Sequence, residues 1–273
     1  MPCMPFAFQA TRDLWQYLGE FDALSEMNEL AVRDFLHRRD RVLRLKRKEC
    51  ATAFVAAKSK QHGICVNASV AARLAVGMAQ TYVCTVWNCA DGFLRELRKE
   101  HQEFSGSPWT GDAKDKTRLE FTLENLFGTE QKGVMAIGPH RHGLMEYCRL
   151  VRNRLAHPRS TSDKAVAEAY DRVRPHTEEI HVEYRMREAP QPMASMTFED
   201  AVLLSRVTKD VAHILNDKAR PDDGHLLQAI DPKAFKHVNN PARRRRAMIG
   251  VLCTRFGMDT TEAGAIIDAG SLA

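Results

Sequence analysis

Apolar residues recur every three or four positions along most of the chain, which is the spacing that places them on one face of an α-helix. A helix is predicted from about residue 67 to 101. Its apolar stripe consists of Tyr82, Val86, Cys89, Phe93 and Leu97. A later helix, with a capping-box-like start at Thr197, carries the stripe Leu204, Val207, Val211 and Leu215. The residue pattern therefore predicts an all-α fold.

Start and stop signals divide the pattern into helices. Thr11 is predicted to cap a short first helix, and a long helical pattern then runs from about residue 25 to 61, where His62-Gly63 stops it. A helix over 115–127 is followed by a connection with three glycines. Those glycines are Gly128, Gly133 and Gly138. Residues 180–187 alternate between apolar and polar, which predicts either a strand or a loose helix end.

The segment 216–224, with its Pro-Asp-Asp-Gly sequence, reads as a linker. Two further helices are predicted after it, over 247–256 and near 260–269. We therefore predict an up-and-down helical bundle over residues 1–218, followed by a small helical C-terminal module over 219–273.

Composition narrows the function only slightly. A chain of 273 residues with 44% hydrophobic and 27% charged residues is ordinary for a globular protein, and its net charge of +5 permits a nucleic-acid partner. The N-terminus lacks a secretion signal, and the most apolar run, 70–79, is short and contains Arg73. Seven cysteines without a CxxC pair indicate reduced thiols. We expect a cytoplasmic protein without a membrane span.

The segment from Arg152 to Pro158, with the sequence RNRLAHP, carries the most specific chemistry. It closes a helix predicted over about 139–156. The predicted core-facing stripe of this helix is Leu144, Cys148, Val151 and Leu155. The opposite face carries Glu146, Arg149, Asn153 and His157, with Arg152 at its flank. Pro158 disfavours helical dihedrals at His157, so His157 is predicted to end the helix and project from a fixed corner.

Spacing alone does not identify a site. The chain contains other arginines followed five to seven residues later by a histidine. They include Arg95 with His101, Arg206 with His213 and Arg220 with His225. None of them has an asparagine directly after the arginine, as the Arg152 to His157 pair does. The context of that pair therefore distinguishes it from the others.

The residue types at this helix end suit RNA cleavage without a metal. The 2′-hydroxyl of RNA can attack the neighbouring phosphorus if a histidine removes its proton or protonates the 5′-oxygen leaving group. A guanidinium, from Arg152, would bind the developing phosphorane charge in bidentate fashion. Asn153, one helical turn before His157, would orient the imidazole or hold a phosphate oxygen. DNA lacks the attacking hydroxyl, so this mechanism would spare it.

The motif resembles the Arg-(Asn/His/Asp)-x3-His signature of the HEPN superfamily, whose members are small all-helical ribonuclease domains. The stretch TYVCTVWNCADGFLREL is also similar to the aromatic second helix of some HEPN families, with Asp91 as the one acidic residue before Glu96. The resemblance implies a homodimer with a composite site made from two motifs. It further implies cleavage that leaves 2′,3′-cyclic phosphate and 5′-hydroxyl ends, without a metal or other cofactor. Many such domains act as toxins or in antiviral defence, which implies an antitoxin or defence-system partner protein.

Several basic residues are candidates to bind the RNA. They are Arg149, Arg154, Arg243, Arg244, Arg245 and Arg246, and the basic run over 37–48 is a weaker candidate. A metal site at His140 and His142 has no third ligand nearby in sequence. Two alternatives to a ribonuclease stay open. One is a non-catalytic HEPN-like module that binds RNA or protein, and the other is a helical nucleic-acid-binding regulator in which the motif is accidental.

Overall fold

The structure is a computed structural model, and it describes residues 6–45, 49–106, 108–111, 114 and 116–270. Regular structure within these ranges is entirely helical, with no residue in a strand. The first six helices are α1 (Gln9–Leu45), α2 (Glu49–His62), α3 (Leu74–Ser105), α4 (Arg118–Phe127), α5 (Glu130–Ile137) and α6 (Pro139–Ala156). The others are α7 (Asp163–Val173), α8 (Thr177–Tyr184), α9 (Phe198–Ala219), α10 (Asp223–Gln228), α11 (Pro241–Phe256) and α12 (Thr260–Gly270). The predicted all-α class is confirmed.

Short 3-10 helices connect some of these elements, over Ala68–Arg73, Arg174–His176, Met193–Ser195 and Pro232–Phe235. The segment 180–187, predicted as either a strand or a loose helix end, begins with the last five residues of helix α8 and contains no strand. Its last helical residue, Tyr184, is followed by Arg185 in the left-handed conformation with φ 52°.

The start of the chain differs from the prediction. Thr11 does not cap a separate short helix, because it lies inside α1, which runs for 37 residues from Gln9. The N-terminus of α1 is capped by Glu100 of α3, whose carboxylate accepts hydrogen bonds from the backbone N–H of Gln9 at 2.8 Å and Ala10 at 2.7 Å. A carboxylate there satisfies unpaired N–H groups and favours the positive helix end. Because Glu100 lies about 90 residues away in sequence, no local sequence pattern predicts this cap.

The described chain forms two compact units, each assembled from separate stretches. The first combines the described parts of 1–17, 88–142 and 207–273, and the second combines those of 18–87 and 143–206. Neither unit is contiguous in sequence, whereas the predicted domains meet between residues 218 and 219. That domain division stays a prediction.

The first unit has an aromatic core near its N-terminal segment. The rings are those of Phe6, Phe8, Phe104 and Phe256, with centroid separations between 4.9 and 6.3 Å. The backbone N–H of Ala7 donates to the carbonyl of Phe256 at 2.7 Å. The side chain of Arg12 donates to two carbonyls at the end of α11, those of Thr254 and Arg255. These contacts join the N-terminal segment to α11.

Asn216 lies in the same core and is completely buried. It was predicted to begin a linker, which is wrong, because α9 continues to Ala219 and α10 begins at Asp223. The side-chain oxygen of Asn216 accepts hydrogen bonds from the N–H of Phe8 and the hydroxyl of Thr11, both at 3.0 Å. Its amide nitrogen donates to the carbonyl of Phe6 at 2.9 Å. Asn216, which matched the linker pattern, is therefore a buried residue that holds the N-terminal segment by hydrogen bonds.

The second unit has a mainly aliphatic core with buried polar connections. The hydroxyl of Tyr147 donates to the carbonyl of Gln191 at 2.8 Å. Asp200, in the first turn of α9, accepts from the N–H of Gln191 at 2.7 Å and of Thr197 at 2.8 Å. Burial raises the pKa of Asp200 to about 6, although these two hydrogen bonds oppose the shift. The predicted capping role of the Thr197 segment is thus carried by a buried carboxylate.

Gly133 is part of helix α5, and the prediction that it lies in a connection is wrong. Helices α4 and α5 pack so closely that a Cβ at Gly133 would lie 2.5 Å from Leu123 Cβ and 3.0 Å from Leu123 Cα. We expect Gly133→Ala to destabilise the fold by about 1–3 kcal/mol through overpacking. Gly19→Ala is the matched control, because Gly19 is helical with nothing within 4 Å of its Cβ position.

Urea unfolding followed by circular dichroism would measure both variants. The control is expected to gain about 0.5–1 kcal/mol from helix propensity. Equal stability changes at the two glycines would contradict the close packing of α4 against α5.

Candidate functional site

The predicted motif helix is α6, and its observed bounds, Pro139–Ala156, agree with the prediction. His157 follows directly after the last helical residue. Its N–H donates to the carbonyl of Asn153 at 2.7 Å, and its own carbonyl accepts from the N–H and the hydroxyl of Ser160, each at 2.9 Å. The His157 side chain is exposed. The backbone of this exposed histidine is therefore held by hydrogen bonds on both sides.

Arg152 and Asn153 meet one turn before the helix end. Arg152 Nη1 donates to Asn153 Oδ1 at 3.0 Å, and both side chains are half-buried. The guanidinium also lies in the electrostatic environment of Cys84 in α3. Burial raises the pKa of the Cys84 thiol, and the positive charge of Arg152 opposes that shift. Two of the three predicted catalytic residues are thus in direct contact.

The core-facing stripe of α6 is confirmed for Leu144, Cys148 and Val151, which are at most 2% exposed. It is wrong for Leu155, which is 37% exposed. Leu155 lies in the last turn of the helix and lines an open groove instead of the core. The stripe of a helix is buried only as far as neighbouring elements cover it, and a sequence pattern does not show where that cover ends.

The predicted RNA-binding residue Arg149 is paired within its own helix. Its Nε and Nη2 donate to the two carboxylate oxygens of Glu146 at 2.7 and 2.6 Å. Side-chain exposures of 24% and 23% show that the pair is only partly open to solvent. The charge of Arg149 is therefore balanced by a neighbouring carboxylate three residues earlier.

Arg154 connects the end of the motif helix to the next helix. It donates to Asp163 Oδ1 at 2.6 Å and Oδ2 at 3.2 Å, and more weakly to the carbonyl of Pro158 at 3.4 Å. Hydrogen bonding to Arg154 lowers the pKa of the Asp163 carboxyl. Asp163 begins α7, where Ser162 is the N-cap. The bridge fixes the turn after the motif, and the sequence reading missed Asp163 as its partner.

An open groove of about 590 Å³ lies beside this turn. The motif contributes Arg154, Leu155 and Pro158 to its lining. The rest of the described lining comprises Arg73, Gln80, Tyr147, Asp163, Val166, Ala167, Tyr170, Asp171, Pro192, Met193 and Ala194. A groove of this size, with apolar walls and a few polar groups, is typical of small-molecule binding sites. The groove is thus adjacent to the motif, on the side of Arg154.

The arginine cluster Arg243–Arg246 belongs to the first unit, at the start of α11, and all four side chains are exposed. Arg244 donates to the carbonyl of Val238, at 3.2 and 3.0 Å, and Arg245 makes two 2.6 Å hydrogen bonds to Asp268. Asn240 caps the helix by accepting from the N–H of Arg243. RNA binding by the cluster stays a prediction.

The basic run 37–48, Asp91, His140 and His142 were also considered from the sequence. In the basic run 37–48, Arg38 pairs with Asp34 and Arg39 with Asp40, while residues 46–48 lie outside the described part. Asp91 of α3 forms an ion pair with Arg118. His140 is buried in the first turn of α6, and His142 is half-buried.

The described residues contain no group of three or more His, Cys, Asp or Glu side chains placed to hold a metal ion. Over the same ranges, no helix has the length and apolar character needed to cross a membrane.

Comparison with known proteins adds no family: no protein-family model, curated protein or solved structure matches this chain.

Proposed function

We propose that this protein is a metal-independent endoribonuclease of the HEPN type, with Arg152, Asn153 and His157 as its catalytic residues. One observation carries the proposal. Helix α6 ends immediately before His157. The exposed imidazole of His157 therefore follows the hydrogen-bonded pair of Arg152 and Asn153 within about one and a half helical turns. The groove beside Arg154 supplies space for a flanking part of the substrate.

In the proposed reaction, His157 acts in proton transfer at the 2′-hydroxyl or at the 5′-oxygen. The 2′-oxygen forms a bond to phosphorus while the bond from phosphorus to the 5′-oxygen breaks. The proton leaving the 2′-hydroxyl goes to a base, and the departing 5′-oxygen receives a proton from an acid. The products are a 2′,3′-cyclic phosphate and a 5′-hydroxyl.

The guanidinium of Arg152 binds the phosphorane oxygens as their negative charge increases. Asn153 positions that guanidinium through its side-chain oxygen, and its amide N–H₂ is a donor for a phosphate oxygen. A two-fold pairing of two motifs would supply a second His157 as the complementary acid or base. The pairing of motifs and a role as a toxin or defence effector are parts of the same proposal.

Substrate chemistry tests the reaction class directly. Purified full-length protein is incubated in EDTA with a single-stranded RNA and with the same sequence made entirely of 2′-deoxynucleotides. We expect cleavage of the RNA alone, with cyclic phosphate ends detected by mass spectrometry. Cutting of the deoxy strand, or cleavage that requires an added divalent metal, would overturn the proposed mechanism. Binding of RNA without any product would favour the non-catalytic binding module.

A further inference from the structure

Helix α1 exposes an apolar face within the second unit. Leu24 is 65% exposed, Met27 66% and Leu30 63%, and Ala23 and Ala31 beside them are exposed as well. At about 100° per residue, these five side chains fall within roughly 120° around the helix, with Met27 near the centre. Large apolar side chains grouped on one exposed face indicate a docking surface. We call these five residues the α1 face.

The apolar surface continues beyond the helix. Leu30 also lines an open groove of about 400 Å³ whose walls include Met186, Phe198 and Val202. The described charged residues around that groove are Glu26, Glu29, Arg33, Arg185, Glu199 and Arg206. An apolar centre with a rim of both charge signs is the usual composition of a protein–protein interface.

Charge along α1 changes sign from one side of the α1 face to the other. Glu20 precedes the face and is exposed, whereas Arg38 and Arg41 follow it and are exposed. Glu20 and Arg38 lie on the same line along the helix as Met27, since their predicted angular positions differ from it by about 20°. Asp34 also lies on this line, where its charge is balanced by its ion pair with Arg38, so that Arg41 leaves this end of the helix net basic. The net order from N- to C-terminus is therefore acidic, apolar, basic. Such an order is complementary to itself when a second helix runs in the opposite direction.

We propose that the α1 face docks against the α1 face of a second copy of this chain, with the two helices antiparallel. In the register that places Met27 opposite Ala31 of the partner, Glu20 lies opposite Arg38 of the partner. The two-fold axis repeats this pair, so each interface contains it twice. The existing pair of Arg38 with Asp34, whose side chains are 62% and 55% exposed, is open at the surface and can share Arg38 with the new carboxylate.

A lipid surface, the other occupant of an exposed apolar helix face, is not complementary to this order of charges. A membrane would attract the basic part of α1 and repel Glu20. The docking of a second copy does not depend on the ribonuclease proposal, because its residues are separate from Arg152, Asn153 and His157.

Charge reversal gives a sharp test. The mass of the full-length protein is measured by light scattering and sedimentation over a range of concentrations. We expect Glu20→Arg or Arg38→Glu alone to weaken association at least about tenfold, since each places like charges opposite one another twice. The double variant restores the pairs with exchanged signs, so its association is expected to return to within about threefold of wild type. Met27→Glu is expected to halve the mass, because each symmetric contact doubles the number of chains.

Controls of the same charge change are Arg172→Glu and Glu178→Arg, both at exposed positions of other helices, and both are expected to keep the wild-type mass. Circular dichroism confirms that every variant is folded. A monomeric wild type, an unchanged mass for Met27→Glu, or a double variant as dissociated as the single ones would overturn the proposal. If a variant loses association, RNA cleavage measured in EDTA still tests the ribonuclease proposal independently.

Discussion

His157→Ala is expected to lower the rate of RNA cleavage in EDTA by about 10²–10⁴-fold, because it removes the group that moves a proton in the reaction. Arg152→Ala is expected to lower it by about 10²–10³-fold, because the phosphorane charge loses its guanidinium. Arg152→Lys is expected to restore little of the rate, since an ammonium cannot replace the bidentate contact. A fluorescently labelled RNA, followed under single-turnover conditions, gives these rates directly.

Matched controls separate chemistry from charge. His237→Ala removes another exposed histidine, and Arg159→Ala removes an exposed arginine two residues after His157. Both are expected to retain cleavage within about threefold of wild type, because neither residue takes part in the proposed reaction and surface substitutions usually change stability by no more than about 0.5 kcal/mol. RNA binding, measured by fluorescence anisotropy, is expected to persist in His157→Ala. Cleavage that survives both His157→Ala and Arg152→Ala would remove this motif from the mechanism and leave it an accidental sequence match.

Features set by neighbours in the sequence were predicted well. The bounds of α6 follow from Gly138 before it, from Pro139 at its first position and from Pro158 after it, and these act within one turn. The start of α7 is set just as locally, because the hydroxyl of Ser162 accepts from the N–H of Ala165. The stripe of α9 is confirmed, with Leu204, Val207, Val211 and Leu215 at most 1% exposed. Local signals fix where a helix lies and which face is apolar.

Features set by distant residues were missed. Glu100 caps α1 from about 90 positions away, and Asp163 binds Arg154 from the next helix. No periodicity links such partners, because each is an isolated polar residue in its own segment. The same limit applies to the motif: its helix was predictable, whereas the contact of Arg152 with Asn153 and the ion pairs of Arg149 and Arg154 depend on side-chain geometry.

Asn216 gives the largest stability effect that we expect from such a distant contact. Asn216→Ala leaves the N–H of Phe8, the hydroxyl of Thr11 and the carbonyl of Phe6 without their described partner in a buried site. A buried polar group that loses its hydrogen bond costs about 1–3 kcal/mol. Three such losses predict a decrease of at least about 3 kcal/mol in the free energy of unfolding. Urea denaturation monitored by tryptophan fluorescence would measure it.

Two further variants locate the effect. Asn216→Asp keeps the oxygen that accepts from Phe8 and Thr11 but loses the donor to Phe6, so it is expected to be destabilised as well. Asp217→Ala, at the exposed neighbouring position, is expected to change stability by less than about 0.5 kcal/mol. Hydrogen exchange is expected to show faster exchange of the Phe8 amide in Asn216→Ala, because that amide loses its acceptor. If the Asn216 and Asp217 variants were equally stable, the N-terminal segment would be held by its aromatic contacts and its hydrogen bonds to α11, and the buried amide would contribute nothing to the fold.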